Sequence, residues 1–129
     1  MIINFFFFFF FLFLKTLEIN ADAERFRTLI KTEDFRLKEL CSRWDHLLVS
    51  NDVPEEETGS VRTVIGQAQL LQRERFTQFA GLVDQFENKS AEKEITATDL
   101  EGFWEMIYLQ VIRHQHELKS VMVNYEMFT

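Results

Sequence analysis

Apolar side chains recur at three- and four-residue steps in three stretches of the chain, which is typical of helices with one buried face. These stretches predict helices over about 20–50, 60–87 and 97–123. The first helix is expected to end at Asn51, Asp52 and Pro54, and the polar run 88–94 separates the other two. The apolar stripes are Phe26, Leu29, Ile30, Leu37, Leu40, Cys41, Trp44, Leu47 and Leu48; then Val61, Val64, Ile65, Ala68, Leu71, Phe79, Leu82, Val83 and Phe86; then Trp104, Ile107, Val111, Leu118, Val121 and Tyr125.

The third helix has a clear start. Thr96 and Asp99 form the S/T-x-x-D capping pattern, and Ile95 and Leu100 occupy the two positions of a hydrophobic staple. Its apolar stripe alternates steps of four and three, a spacing that suits packing along neighbouring helices at a shallow angle. Three helices joined by short connections predict an all-α fold, a three-helix bundle of long helices.

Residues 1–19 differ from the rest of the chain, because eight of the 15 Phe lie within residues 5–13. We expect this Phe-rich, low-complexity segment to lie outside the fold, which is expected to cover 20–124 and to leave 125–129 as a tail. The apolar run 5–14 is too short for a membrane span of about 20 residues. Three explanations stay open, with the first favoured: a gene-model artefact from a pyrimidine-rich intron end, a signal peptide, and a membrane anchor.

Length, composition and charge limit the number of domains, the cellular compartment and the class of partner. A chain of 129 residues with one Pro and four Gly predicts one domain of long helices and few turns. Cys41 is the only cysteine, so no internal disulfide is possible and a reducing compartment is expected. The formal net charge of -7 argues against nucleic acid as a partner, because an acidic domain repels phosphate backbones.

The sequence offers no set of residues for catalysis. His114 and His116 are two apart, so on a helix they point about 200° away from each other and cannot share one metal ion. His114 is expected to fill a slot of the apolar stripe with a satisfied hydrogen bond, and Cys41 to be a buried structural thiol. The basic stretch 72–75 fits an ordinary exposed helix face. We therefore predict no enzyme activity, no metal, no cofactor and no small-molecule substrate.

Two stretches resemble a known family. Residues 66–82 (GQAQLLQRERFTQFAGL) and 96–106 (TATDLEGFWEM) are similar to the guanylate-kinase-associated homology domain, the C-terminal homology domain of the disks-large-associated protein family. The resemblance covers about 26–121, and its spelling is most similar to the mitotic-spindle (hepatoma up-regulated) branch. It implies a helical bundle in an intracellular protein that associates with kinetochore-fibre microtubules. The expected locations are the cytoplasm, the cytoskeleton, the mitotic spindle and the nucleus.

The resemblance predicts a non-enzymatic interaction module of a microtubule-associated protein that acts in spindle assembly and chromosome congression. The microtubule-binding region of that branch lies upstream and is absent here, so microtubules would be reached only through missing regions. The alternative is a postsynaptic-density scaffold or adaptor in signalling. Expected partners are spindle or scaffold proteins, and a membrane is not expected. The candidate contact residues are Phe76, Phe79, Phe103 and Trp104, of which at least half are expected to be core.

Overall fold

A computed structural model describes residues 2–50 and 52–126. Its helices are α1 (Ile2–Val49), α2 (Glu55–Leu70), a π-helical turn (Leu71–Phe76), α3 (Thr77–Asn88) and α4 (Ala97–Glu126). Since α2, the π-helical turn and α3 follow one another without a break, they form one rod, which we call the central helix. Three rods pack side by side, so the predicted all-α bundle is confirmed.

The central helix contains a feature that the sequence analysis did not predict. Its buried residues include Leu71 and Phe76, which are five positions apart and would lie on different faces of a regular α-helix. The π-helical turn between them accommodates the extra residue, because its hydrogen bonds run from i to i+5. Both side chains therefore face the core, and the apolar stripe continues in register from α2 into α3.

Two helices begin earlier than the pattern predicted. The first begins at Ile2 and not near residue 20, because the Phe-rich segment continues directly into α1. The second begins at Glu55 and not near residue 60. Pro54 precedes it, and Glu55, Glu56 and Glu57 occupy its first turn, where carboxylates interact favourably with the positive end of the helix dipole.

The predicted start of α4 is confirmed. The Thr96 N–H donates to Asp99 Oδ2 over 3.0 Å, and the Asp99 N–H donates to Thr96 Oγ1 over 3.1 Å. This reciprocal capping box satisfies two N–H groups that the helix itself cannot pair. Ile95 packs against the core, and Leu100 is fully buried within it. The capping box and the apolar pair that flanks it together fix the direction in which the chain enters α4.

The core lies along the axis where the three rods meet, and aromatic rings cluster toward the end of the bundle where α4 begins. The Phe79 ring lies 5.8 Å from the Phe26 ring of α1 and 5.5 Å from the Trp104 ring of α4, centroid to centroid. Near the other end of the bundle, Trp44 Nε1 donates to the Leu118 carbonyl over 3.0 Å and links α1 to α4. The buried core comprises Ala23, Phe26, Leu37, Leu40, Cys41, Trp44, Leu47, Val53, Val61, Ile65, Ala68, Leu71, Phe76, Phe79, Val83, Phe86, Leu100, Trp104, Ile107, Val111, Leu118 and Met122.

Polar contacts between the rods hold their relative positions. Glu33, which interrupts the apolar stripe of α1, is buried and accepts hydrogen bonds from Gln115 of α4 and from Arg36, both over 2.8 Å. Arg27 of α1 pairs with Asp84 and Glu87 of α3 at 2.7 and 3.0 Å. A buried carboxylate needs such donors, so these contacts favour one alignment of the helices.

The beginning of α1 projects large apolar side chains into solvent. Its Phe side chains from Phe5 to Phe13 are all exposed, whereas Ile19 and Ala23 pack on the bundle. Among the described residues, α1 alone contains an 18-residue window apolar enough to cross a membrane, with a mean hydropathy of 1.4. The apolar part of a signal sequence has the same composition, so this window leaves the alternatives for the segment open.

A candidate protein-interaction surface on the last helix

The four aromatic residues that the sequence suggested for partner contact occupy two different environments. Phe76, Phe79 and Trp104 belong to the core, where they lie against one another and against α1. Phe103 is 48% exposed. Neighbouring helical residues point about 100° apart, and with Trp104 in the core Phe103 is turned toward solvent. Of the four, only Phe103 exposes its ring to solvent.

Phe103 begins a row of exposed apolar side chains along α4. Met106, Leu109 and Ile112 follow it at steps of three, with exposures of 65%, 69% and 44%. We call these four residues the outer row. A step of three on an α-helix falls about 60° short of a full turn, so the outer row winds obliquely across the solvent-facing half of α4. Such rows form the ridges by which helices pack into grooves of their neighbours.

A shallow groove lies between the outer row and the central helix. Phe103, Met106 and Gln110 form one wall, Arg75, Gln78 and Leu82 form the other, and Phe79 and Ile107 form the floor. Its volume is about 160 Å³, which suits one or two side chains rather than a free small molecule. Arg75 Nη1 donates to Gln78 Oε1 over 3.2 Å, and Arg75 supplies the positive charge of the groove.

The charges around the outer row are divided along the helix. Asp99, Glu101 and Glu105 lie toward its beginning, and Arg113 and Lys119 lie toward its end, all exposed. Glu101 also accepts a hydrogen bond from Arg25 of α1 over 3.0 Å. Glu117 adds a carboxylate toward the end of the helix, where its side chain is 40% exposed, so the first half of the exposed face is acidic and the second half carries charges of both signs.

The sequence analysis identified Phe103 and missed the other three residues of the outer row. Met106, Leu109 and Ile112 do not fit the stripe that begins at Trp104, and the alternation of four and three left them unassigned. Their signal was the regular step of three from Phe103. An apolar residue that is out of phase with the buried stripe must lie at the surface, because a single helix has only one inward face.

Two residues considered for chemistry are buried in the bundle. Burial raises the pKa of the Cys41 thiol to about 11, with Asp45 adding to the shift, so the reactive thiolate is disfavoured. His114 fills its predicted slot in the apolar stripe, and one of its ring nitrogens lacks a partner. The Nδ1 atom is buried without a hydrogen-bond partner among the described residues, and the nearest carboxylate, that of Glu117, lies 3.9 Å away.

Burial also lowers the pKa of the His114 imidazole, and Glu117 opposes that shift, so a neutral ring is favoured at pH 7. Among the described residues, no three His, Cys, Asp or Glu side chains lie together in a way that could hold a metal ion. The candidate functional site is therefore the outer row, together with the groove beside it and the charged residues that flank it.

Comparison with known proteins gives a consistent result. The model of the guanylate-kinase-associated protein (GKAP) family matches residues 15–122, which include the whole outer row. The chain is 47% identical to mouse Disks large-associated protein 5 over 90 residues, 70% of this chain and 11% of that protein. It is 40% identical to the human protein of the same name over 97 residues, 75% of this chain and 11% of that protein.

Human Disks large-associated protein 4 is 38% identical over 90 residues, 70% of this chain and 9% of that protein. The chain therefore spans about a tenth of the length of the curated relatives that it matches.

Proposed function

Because the chain belongs to the guanylate-kinase-associated protein family, we propose that it is a non-enzymatic protein-interaction module that binds its partner through the outer row of α4. The observation that carries this proposal is the exposure of Phe103, Met106, Leu109 and Ile112 on a helix whose opposite face is already packed. Contiguous exposed apolar side chains with a polar rim are typical of surfaces that another protein covers.

The geometry favours a helical partner. The outer row is a ridge, and the groove beside it can receive the side chains of a second helix that runs along α4. Phe103 is the expected anchor, because a partly exposed aromatic ring at the edge of a groove can be buried on binding with little loss of conformational entropy. Arg75 and Gln78 would then contact polar groups at the rim of the partner.

We further propose that the parent protein acts on the mitotic spindle. The spelling of residues 66–82 and 96–106 resembles the spindle branch of the family, and identity is graded among the relatives, from 47% for mouse Disks large-associated protein 5 to 34% for human Disks large-associated protein 1. Such grading supports membership of one branch. Since tubulin has an acidic surface and this chain carries a net charge of -7, the module would reach the spindle through another protein.

The test is recruitment of the tagged full chain in dividing cells. We expect the chain to concentrate on the spindle, and the variant Leu109→Asp to become diffuse, because a charge in the middle of the outer row prevents burial against a partner. Phe35→Asp is the matched control. Phe35 is 61% exposed on the outer face of α1 and receives the same charge, so that variant should still be recruited.

Three results would contradict the proposal. A chain that stays diffuse in mitosis would overturn the spindle assignment, and enrichment at scaffolds of non-dividing neurons would favour the postsynaptic alternative. Equal recruitment of Leu109→Asp and the parent chain would overturn the outer row as the contact surface. Co-sedimentation of the purified chain with microtubules alone would contradict an indirect route to the spindle.

A further inference from the structure

We propose that the chain has a second binding site, an apolar pocket that takes a basic segment of a partner protein. One large apolar side chain of that segment enters the pocket, and cationic side chains on either side of it meet two carboxylates at the rim. The pocket lies outside the outer row, so this inference goes beyond the proposed function and does not depend on it. We call it the Trp44 pocket, and its lining residues are Trp44, Glu57, Ser60, Val61, Val64, Glu117 and Leu118.

All three rods supply part of the wall of the Trp44 pocket. Trp44 comes from the last turns of α1, Val61 and Val64 come from α2, and Leu118 comes from α4. The hydrogen bond of 3.0 Å from Trp44 Nε1 to the Leu118 carbonyl holds two of these walls together. Because the walls belong to packed helices, the pocket exists before binding, and a ligand loses little free energy to reorganisation of the site.

The size and lining of the Trp44 pocket suit one apolar side chain. Its volume is about 270 Å³, and its surface consists almost wholly of apolar atoms. A dry apolar cavity of about 150 Å³ is enough to bind benzene, so this pocket has room for a Leu, Met or Phe side chain. Val64 is half-buried, and an entering side chain would remove its remaining apolar surface from water. Such buried anchors supply much of the binding energy of protein interfaces.

The charged groups at the rim determine which apolar segment fits. Glu57 is exposed on α2, and the side chain of Glu117 on α4 is 40% exposed. Among the described residues, no Lys or Arg pairs with either carboxylate, although Arg113 and Lys119 are close to Glu117 along α4. The His114 imidazole lies 3.9 Å from Glu117, and its neutral form is favoured at pH 7. Both carboxylates therefore remain to attract cations on either side of the anchor.

The wider charge distribution favours the same kind of partner. Glu55 and Glu56 precede Glu57 in the first turn of α2, and the whole chain has a formal net charge of -7. A basic segment is therefore attracted before contact, whereas an acidic segment with the same anchor is repelled. The partner that fits is a protein segment with an apolar residue between Lys or Arg residues.

A short peptide provides the probe for the test. In the extended peptide Arg-Gly-Leu-Gly-Arg, with both ends capped, alternate side chains point to the same side, so the Leu and both Arg can face the Trp44 pocket together. The peptide Arg-Gly-Ala-Gly-Arg lacks the anchor, and Gln-Gly-Leu-Gly-Gln lacks the charges. Each is titrated into the isotope-labelled full chain while the methyl resonances of Val61, Val64 and Leu118 are followed.

We expect these three sets of methyl resonances to shift and saturate with the Arg-Leu-Arg probe, while the core methyl groups of Val111 stay in place. Replacing the Leu of the probe by Ala should weaken binding by about tenfold or more, because less apolar surface is buried. Replacing both Arg by Gln should weaken it by about fivefold, as expected for two solvent-exposed ion pairs. Added salt should weaken binding of the Arg probe and leave the Gln probe unchanged.

Two variants of the chain test the same site from the protein side. Val64→Phe fills the Trp44 pocket with its own side chain and should abolish binding, whereas Thr63→Phe, at the exposed neighbouring position, should not. The double change Glu57→Gln and Glu117→Gln keeps the shape of the rim and should weaken the Arg probe by about fivefold. Removal of the same charge elsewhere on the two helices, by Glu55→Gln and Glu105→Gln, is its control.

Several outcomes would overturn the inference. Unshifted methyl resonances of all three lining residues at millimolar peptide would mean that the pocket takes no side chain. Equal affinity for the Ala probe would mean that the carboxylates capture cations without an anchor, and equal affinity for the Gln probe would mean that charge does not select the partner. Shifts confined to the methyl groups of Leu109 and Ile112 would place the peptide on the outer row. Leu109→Asp should bind the probe like the parent chain, so loss of recruitment in that variant and loss of peptide binding in Val64→Phe report on separate sites.

Discussion

The two faces of α4 are both apolar, and they differ in what covers them. The inner face carries Leu100, Trp104, Ile107, Val111 and Leu118, none more than 8% exposed, because α1 and the central helix pack on it. The outer row keeps 44% or more of each side chain exposed. The comparison teaches that an apolar residue of a helix need not belong to the core, because its position relative to the buried stripe decides whether the same chain covers it.

The exposed apolar residues at the beginning of α1 provide a second comparison with the outer row. The Phe side chains at the beginning of α1 are exposed around the whole circumference of the helix, with no polar edge to orient a partner. The outer row is bordered by charges and lies on a helix anchored in the core. Binding specificity needs such a border, because apolar contact alone does not discriminate among partners. The four changes below test whether the two faces of α4 have different roles.

The largest expected effect is on the inner face. Trp104→Ala removes an indole that contacts Phe76 and Phe79 and leaves a cavity that the aromatic cluster cannot fill. We expect a loss of about 3–5 kcal/mol in the free energy of unfolding, measured by urea denaturation of the full chain. Trp44→Phe, in the same core, should cost less. A loss below about 1 kcal/mol for Trp104→Ala would mean that packing on the inner face contributes little to the free energy of unfolding.

The inner face is also the part of the molecule that the sequence predicted best. Three rods, the capping box at Thr96 and Asp99 and most of the buried stripe follow from local periodicity and helix-start chemistry. The beginning of α1 was missed, because a run of apolar residues has no period and so defines no face. The apolar pattern of the second helix begins only near residue 60, so the helix was predicted to start there, although the three carboxylates of residues 55–57 extend its first turn.

The outer row and the π-helical turn depend on packing and are harder to predict. The five-residue step from Leu71 to Phe76 has the spacing of a π turn, yet only the neighbouring helices decide that both residues must face inward. Likewise, Phe103 and Trp104 are adjacent aromatic residues, and their different environments depend on the rotation of α4 about its own axis. That rotation is set by contacts such as Trp44 with Leu118, which are 74 positions apart.

A smaller effect is expected at the border between the two faces of α4. Gln115 donates to the buried carboxylate of Glu33 over 2.8 Å. Gln115→Ala leaves that oxygen with one donor fewer, and we expect a loss of about 1–3 kcal/mol in the free energy of unfolding. Gln69→Ala, on the exposed side of α2, is the control and should change stability little. Equal effects of the two changes would contradict a structural role for the contact.

The start of α4 orients both faces, and its capping box should contribute less than either buried contact. Thr96→Ala removes the hydroxyl that accepts from the Asp99 N–H. We expect a loss of about 1 kcal/mol in the free energy of unfolding, compared with almost none for Thr98→Ala, which lies exposed two residues later. Thermal denaturation of the three chains side by side measures the difference, and indistinguishable curves would contradict it.

The smallest expected effect on stability is on the outer row. Leu109→Gln replaces the most exposed member of the row by a polar residue of similar length and helix propensity, so the free energy of unfolding should change by less than about 0.5 kcal/mol. Spindle recruitment should nevertheless fall, because binding through the outer row needs this side chain to leave water. Trp104→Ala should lose recruitment together with the fold. A Leu109→Gln chain that is destabilised as strongly as Trp104→Ala would mean that the outer row belongs to the core of this chain, and the distinction between the two faces would fail.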